Sequence, residues 1–177
     1  SWTFGRLAQH ADVLASVERE IERAEGGEMP FLEATIRESL RLHPVIPEVG
    51  RRLVRPVQVG RWHLPGGVVV TPSVYLIHRR EDLWPEPEAF RPERFLGRRP
   101  SPYEFLPFGG GIRRCLGMAF ALYEMRIVLA EILEKHTVRM APGHRMSTVR
   151  RSITLAPAGG MPIVVERRGD RARTALP

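Results

Sequence analysis

Three consecutive glycines, followed four residues later by the only cysteine, constrain this fold more than any other stretch of its 177 residues. The string reads Phe108-Gly109-Gly110-Gly111-Ile112-Arg113-Arg114-Cys115-Leu116-Gly117, and helical spacing begins directly behind it. Glycines admit positive φ and let the backbone approach a bulky partner closely. A cysteine at a helix N-terminus meets unsatisfied N–H groups and the positive end of the dipole, which favour its thiolate; Arg113 and Arg114 add positive charge. The loop is therefore either a held, reactive or metal-ligating sulfur beside open space, or a structural thiol in a tight turn. A Cys-x5-Arg phosphate loop needs arginine where Ala121 stands, and no Gly-Lys-Ser/Thr follows the glycines as a nucleotide loop requires.

Composition narrows the class. One cysteine excludes an internal disulfide and suits a reducing, cytoplasmic location. No apolar run approaches the roughly 20 residues of a membrane helix, and Ser1-Trp2-Thr3-Phe4-Gly5-Arg6 lacks a signal pattern. The net charge of +7 raises a nucleic-acid reading. Lys135 is the only lysine, however, the arginines are scattered, and aromatics make up 7% of the chain. Such a distribution lacks a stacking platform and reads better as arginine-biased coding, or as a surface for an acidic protein partner.

Along the chain, residues 6–25 read as one helix with Leu7, Val13, Leu14, Val17 and Ile21 apolar, stopped by Gly26-Gly27. Residues 31–43 read as a second, opened by Pro30 and closed by His43-Pro44. Short β segments are expected at 53–59, 61–63 and 68–71, with Leu64-Pro65-Gly66-Gly67 as a turn. Residues 81–107 hold too many prolines for regular structure, yet Trp84, Phe90 and Phe95 give them the bulk to pack as an ordered meander. A long helix over 116–134 is expected to face inward with Phe120, Tyr123, Ile127, Ala130 and Leu133. Further β segments follow near 136–140, 150–155 and 162–166. Helices flank small sheets without βαβ alternation, so the class is α+β, mainly helical. Residues 1–166 form the folded part, and the arginine-rich residues 167–177 read as a disordered tail.

The cysteine string matches Phe-x-x-Gly-x-Arg-x-Cys-x-Gly at every fixed position and so resembles the haem-binding loop of the cytochrome P450 family. That resemblance implies haem b with Cys115 as axial thiolate ligand, Phe108 over the sulfur, and Arg113 paired with a haem propionate. Gly109, Gly111 and Gly117 would keep the backbone clear of the porphyrin. The family's Glu-x-x-Arg signature occurs at Glu20/Arg23, Glu38/Arg41, Glu48/Arg51 and Glu88/Arg91, and i,i+3 pairs of this kind are common on helices. Only Glu38/Arg41 ends a helix well upstream of the cysteine loop. Phe90-Arg91-Pro92-Glu93-Arg94-Phe95 resembles the family's Pro-Glu-Arg-Phe segment. The resemblance thus implies a buried structural triad of Glu38, Arg41 and Arg94. It also implies a second propionate arginine at Arg51, with Arg52 as competitor, and substrate-side residues at Val45, Val49, Thr154 and Leu155. His78, in a His-Arg-Arg-Glu-Asp stretch, is read as a structural surface histidine.

The resemblance spans the chain to about residue 166 and is to the C-terminal part of the family's fold. It implies a monooxygenase inserting one oxygen atom from O2 into a small organic substrate, with electrons from a ferredoxin or flavoprotein donor. The distal proton-relay residues would lie upstream of Ser1, so no catalytic residue is assigned within this chain. A half-site is expected to bind haem weakly on its own and to aggregate. The alternatives are an inactive remnant of such an enzyme and a cysteine nucleophile working without haem.

Overall fold

The computed structural model describes residues 1–24 and 27–168. Three helices open the chain: α1 (Trp2–Gln9), α2 (Ala11–Ala24) and α3 (Pro30–Leu42). The single helix expected over 6–25 is thus two. His10 leaves helical geometry at φ −126° and ψ 84°, and its ring Nδ1 lies 2.8 Å from the Arg6 carbonyl. Its own carbonyl accepts the Leu14 N–H at 2.9 Å, so His10 closes α1 and opens α2. The apolar spacing runs unbroken through this corner, which hides it from periodicity.

α3 begins where Pro30 presets φ. Its orphan donors are met from a neighbour: the Glu20 carboxylate of α2 accepts the N–H groups of Phe31 and Leu32, both at 2.8 Å. Its end at Leu42 follows from Pro44, which pushes His43 to φ −128°. His43 is held against α1, stacked on Trp2 at 4.1 Å and accepting from Arg6 Nε at 2.9 Å.

Two small antiparallel pairs follow, β1 (Arg51–Arg52) with β4 (Val69–Val70), and β2 (Val57–Val59) with β3 (Trp62–Leu64). A single-turn helix, α4 (Val74–Ile77), leads into the meander. The meander contains one 3-10 turn, Pro92–Phe95, and buries Trp84, Phe90 and Phe95. α5 (Met118–Lys135) runs directly into β5 (His136–Met140), which pairs with β8 (Ile163–Arg167). The segment expected as one strand near 150–155 is a hairpin of β6 (Thr148–Arg151) and β7 (Thr154–Pro157), turning at Ser152 with φ 55°.

The main core joins Leu7, Val17, Leu32, Ile36, Leu42, Leu129, Leu133 and Val138. A second cluster gathers Trp84, Phe95 and Ala34 under the meander. The face of α5 matches expectation only in part: Leu133 is in the core and Ala130 packs against it. Leu129 and Leu133 are buried, whereas Phe120, Tyr123 and Ile127 are exposed. α5 is apolar on more than one side, so spacing alone does not select the side that meets α2 and α3. At the C-terminal end Arg167 closes β8, and Arg168 pairs with Glu18 at 2.6 Å while its Nε donates to Leu133 O at 2.9 Å. The remainder of the expected tail, 169–177, lies outside the described residues, as does Gly26 of the expected helix stop.

Candidate functional site

The cysteine loop closes on itself through its backbone. The Cys115 N–H donates to Phe108 O at 2.9 Å, Gly109 N–H to Leu106 O at 2.9 Å, and Arg114 N–H to Gly111 O at 3.1 Å. Gly109 and Gly111 take φ of 74° and 65°, left-handed values that a side chain would strain. A Cβ at either would meet nothing within 4 Å, so conformation, not crowding by this chain, demands glycine there. Gly117 is the N-cap of α5. Cys115 therefore stands just before the helix, not in its first turn, and its free thiol is exposed.

That thiol opens into a cleft of about 410 Å³. Leu40, Val45, Ile46, Val49 and Val74 form an apolar wall, Leu106 to Gly109 the opposite lip, and Arg51 and Arg113 bring the charges. Alternation along β1 separates the two candidate arginines. Arg51 lines the cleft, while Arg52 donates to Gly67 O at 3.3 Å. Among the described residues neither Arg51 nor Arg113 has a carboxylate within salt-bridge distance. Arg51, whose Nη1 donates only to Gly50 O at 2.9 Å among the described residues, and Arg113 leave positive charge beside an apolar slot and one soft sulfur, which suits a flat, apolar, dianionic group with an iron centre. The donor set thus fits haem.

Behind the loop lies an ion cluster in which Glu38 and Arg41 are fully buried and Arg94 nearly so. Arg41 Nε and Nη2 grip the Glu38 carboxylate at 2.7 and 2.9 Å. Its remaining donors reach the carbonyls of His78 at 2.7 Å, Pro87 at 2.8 Å and Ala89 at 3.2 Å. All five N–H groups of this buried guanidinium are used. Glu38 also accepts Arg94 Nε at 3.3 Å and the Arg91 N–H at 2.9 Å. Burial pushes the Arg94 guanidinium below its ordinary value, and the Glu38 charge opposes that shift. One carboxylate thus serves two guanidinium groups and clamps the meander to α3. Arg41 and Arg98 also lie over the Trp84 ring, at 5.4 and 5.1 Å.

His78 corrects the expectation of a surface residue, for it is completely buried. Its Nε2 accepts the Leu106 N–H at 2.9 Å, and Nδ1 lies 3.1 Å from the Arg41 carbonyl. A backbone N–H can only donate, so Nε2 carries no proton and Nδ1 does. Burial, and then the charges of Arg41 and Arg79, push its pKa down to about 4, while the bond to the Arg41 carbonyl works the other way. The sequence marks His78 only through its neighbours Arg79 and Arg80, which suggest a wet surface; burial of Trp84 and Phe105 around the ring decides otherwise.

The four substrate-side candidates divide. Val45 and Val49 line the cleft. The Leu155 N–H donates to Val45 O at 2.8 Å, which brings β7 to the same wall, and Glu48 pairs with Arg150 at 2.6 Å beside it. The Thr154 hydroxyl instead donates to Arg151 O at 2.9 Å within its own hairpin.

The geometry is that of an apolar cleft opening on one exposed cysteine, with a buried ion cluster behind its loop, and sequence comparison gives the chain a family. The model of the family "Cytochrome P450" matches residues 1–163, and the chain belongs to that family of haem-dependent monooxygenases. It is 40% identical over 171 residues to "Putative cytochrome P450 135A1" of Mycobacterium tuberculosis, covering 95% of this chain and 37% of that protein. It is 44% identical over 138 residues to "Putative cytochrome P450 135B1" of Mycobacterium bovis, covering 76% of this chain and 29% of that protein. The chain therefore spans only about a third of the length of these relatives. No helix among the described residues is long and apolar enough to cross a membrane.

Proposed function

We propose that this chain supplies the cysteine-bearing half of a haem-thiolate monooxygenase site, with Cys115 Sγ as the axial ligand of haem b. The observation that carries this reading is the exposed thiol opening into an apolar cleft that holds two arginines with no carboxylate partner among the described residues. Haem bound there supplies dioxygen activation for the insertion of one oxygen atom into a small organic substrate. Arg51 and Arg113 would each form a charge-assisted bond to a propionate. Phe108 shares the cleft with the sulfur and would limit its access to water, while Gly109, Gly111 and Gly117 leave the loop without side chains at three positions. Val45 and Val49 would face substrate, with Leu155 brought to the same wall by its bond to Val45 O. Glu38, Arg41 and Arg94 hold the scaffold and do no chemistry. Electrons would come from a ferredoxin or flavoprotein; Arg114 and Arg37, on a groove behind the loop, offer an acidic donor a positive face. A cytoplasmic location accords with the single free thiol.

The test is a haem titration of the intact protein against its Cys115→Ser variant, read by the Soret band of the reduced, carbon-monoxide-bound form. The long-wavelength thiolate band is expected in the parent and absent in the variant. Identical spectra would refute the assignment.

A further inference from the structure

The thiolate loop must be held at its leading end, and the Glu38 cluster does not touch it. Arg41 reaches residues 78, 87 and 89, and Glu38 reaches 91 and 94, all upstream of the loop. Among the described residues, His78 is the side chain hydrogen-bonded both to this cluster's Arg41 and to the loop's entry at Leu106. Its ring sits between the Arg41 carbonyl and the Leu106 N–H, two residues before Phe108. Phe108 O in turn accepts the Cys115 N–H, and Leu106 O accepts the Gly109 N–H. The ring is stacked on Phe105 at 5.4 Å with 24° between planes, and Trp84 meets it edge-on at 6.4 Å. These two ring contacts restrict its rotation, and its two nitrogens are committed in opposite senses.

We infer that His78 is a positioning residue for the haem ligand: its Nε2 lone pair fixes Leu106, and through Leu106 the depth at which Phe108 and Cys115 enter the cleft. The inference rests on the haem reading above for its consequence, but the bond itself does not depend on haem. Two variants separate a positioning role from simple packing. His78→Gln keeps an acceptor at the position of Nε2. His78→Asn keeps a donor toward the Arg41 carbonyl but ends short of Leu106.

The measurements are amide exchange at Leu106 without haem, and the Soret position of the reduced, carbon-monoxide-bound intact protein. His78→Asn should speed Leu106 exchange about ten-fold or more while the amides of α3 stay protected. It should also move a large share of the bound haem from the thiolate band to the shorter-wavelength band. His78→Gln should restore most of both signals. The inference is overturned if His78→Asn leaves both readouts at parental values. It is equally overturned if both variants lose α3 protection and haem alike, since His78 would then be a folding residue only. If the parent protein shows no thiolate band, the haem reading fails, and Leu106 exchange still decides the role of the ring.

Discussion

The buried cluster around Glu38 and the cleft around Cys115 lie within one short stretch of fold and follow opposite rules. In the first, Glu38 and Arg41 are fully buried, every donor of Arg41 is used, and the partners come from α3, the end of α4 and the meander. In the second, Cys115 is exposed, Ile112 and Leu116 are bare, and Arg51 and Arg113 have no carboxylate partner among the described residues. The brace is satisfied by the residues that build it. The cleft gathers an exposed thiol and two arginines that have no carboxylate partner among the described residues. A charge pair buried without water is stable only when complete, whereas a binding cleft must be left incomplete.

Breaking the brace should have the largest effect. Glu38→Ala strands two guanidinium groups, Arg41 wholly and Arg94 nearly buried, and should cost about 3–5 kcal/mol in urea denaturation. A loss below about 1 kcal/mol would mean the cluster is not load-sharing as its geometry requires.

Acid should come next. Burial holds His43 down to about 3 and His78 to about 4, so both are neutral in the folded protein. In the unfolded chain they take up protons near the ordinary histidine value of about 6.5. Their contribution is therefore complete above that pH and is lost as pH falls toward 4 and then 3. Below pH 6 the two together should lower stability by about 2–3 kcal/mol per pH unit. Urea midpoints at a series of pH values check this, and a flat profile from 7 to 5 would contradict it.

On the cleft side, Arg113→Gln should weaken haem binding by about 1.5–3 kcal/mol without changing the urea midpoint of the haem-free protein. Arg51→Gln should act in the same direction, whereas Arg52→Gln, whose parent side chain turns to Gly67, should leave haem affinity alone. The smallest effect belongs to Lys135→Ala. Its pair with Glu131 is solvent-exposed on α5, and neither haem affinity nor stability should change measurably.

What the sequence made legible divides along the same line. The cysteine loop could be read because chemistry fixes residue type at fixed spacing, and Glu38 could be chosen among four similar pairs because of where its helix ends. The meander could be read because Trp84, Phe90 and Phe95 are too apolar to be left in water. What escaped was set by contacts distant along the chain. The corner at His10 interrupts no apolar spacing. The β6–β7 turn needs a positive φ at Ser152, for which serine gives no warning. Charged neighbours disguised His78, whose burial depends on Phe105, 27 residues on. On α5, Leu129 and Leu133 meet the core while Phe120 and Tyr123 do not, and only the placement of α2 and α3 decides between them.

Amide exchange over residues 30–42 and 106–117 of the intact protein, with and without haem, tests the contrast between brace and cleft most directly. Residues 30–42 should be strongly protected in both states. Residues 107–117 should become protected only when haem is added, and the Cys115→Ser variant should blunt that gain. Equal protection of the loop with and without haem would contradict the account, as would loss of protection in α3 when haem is removed.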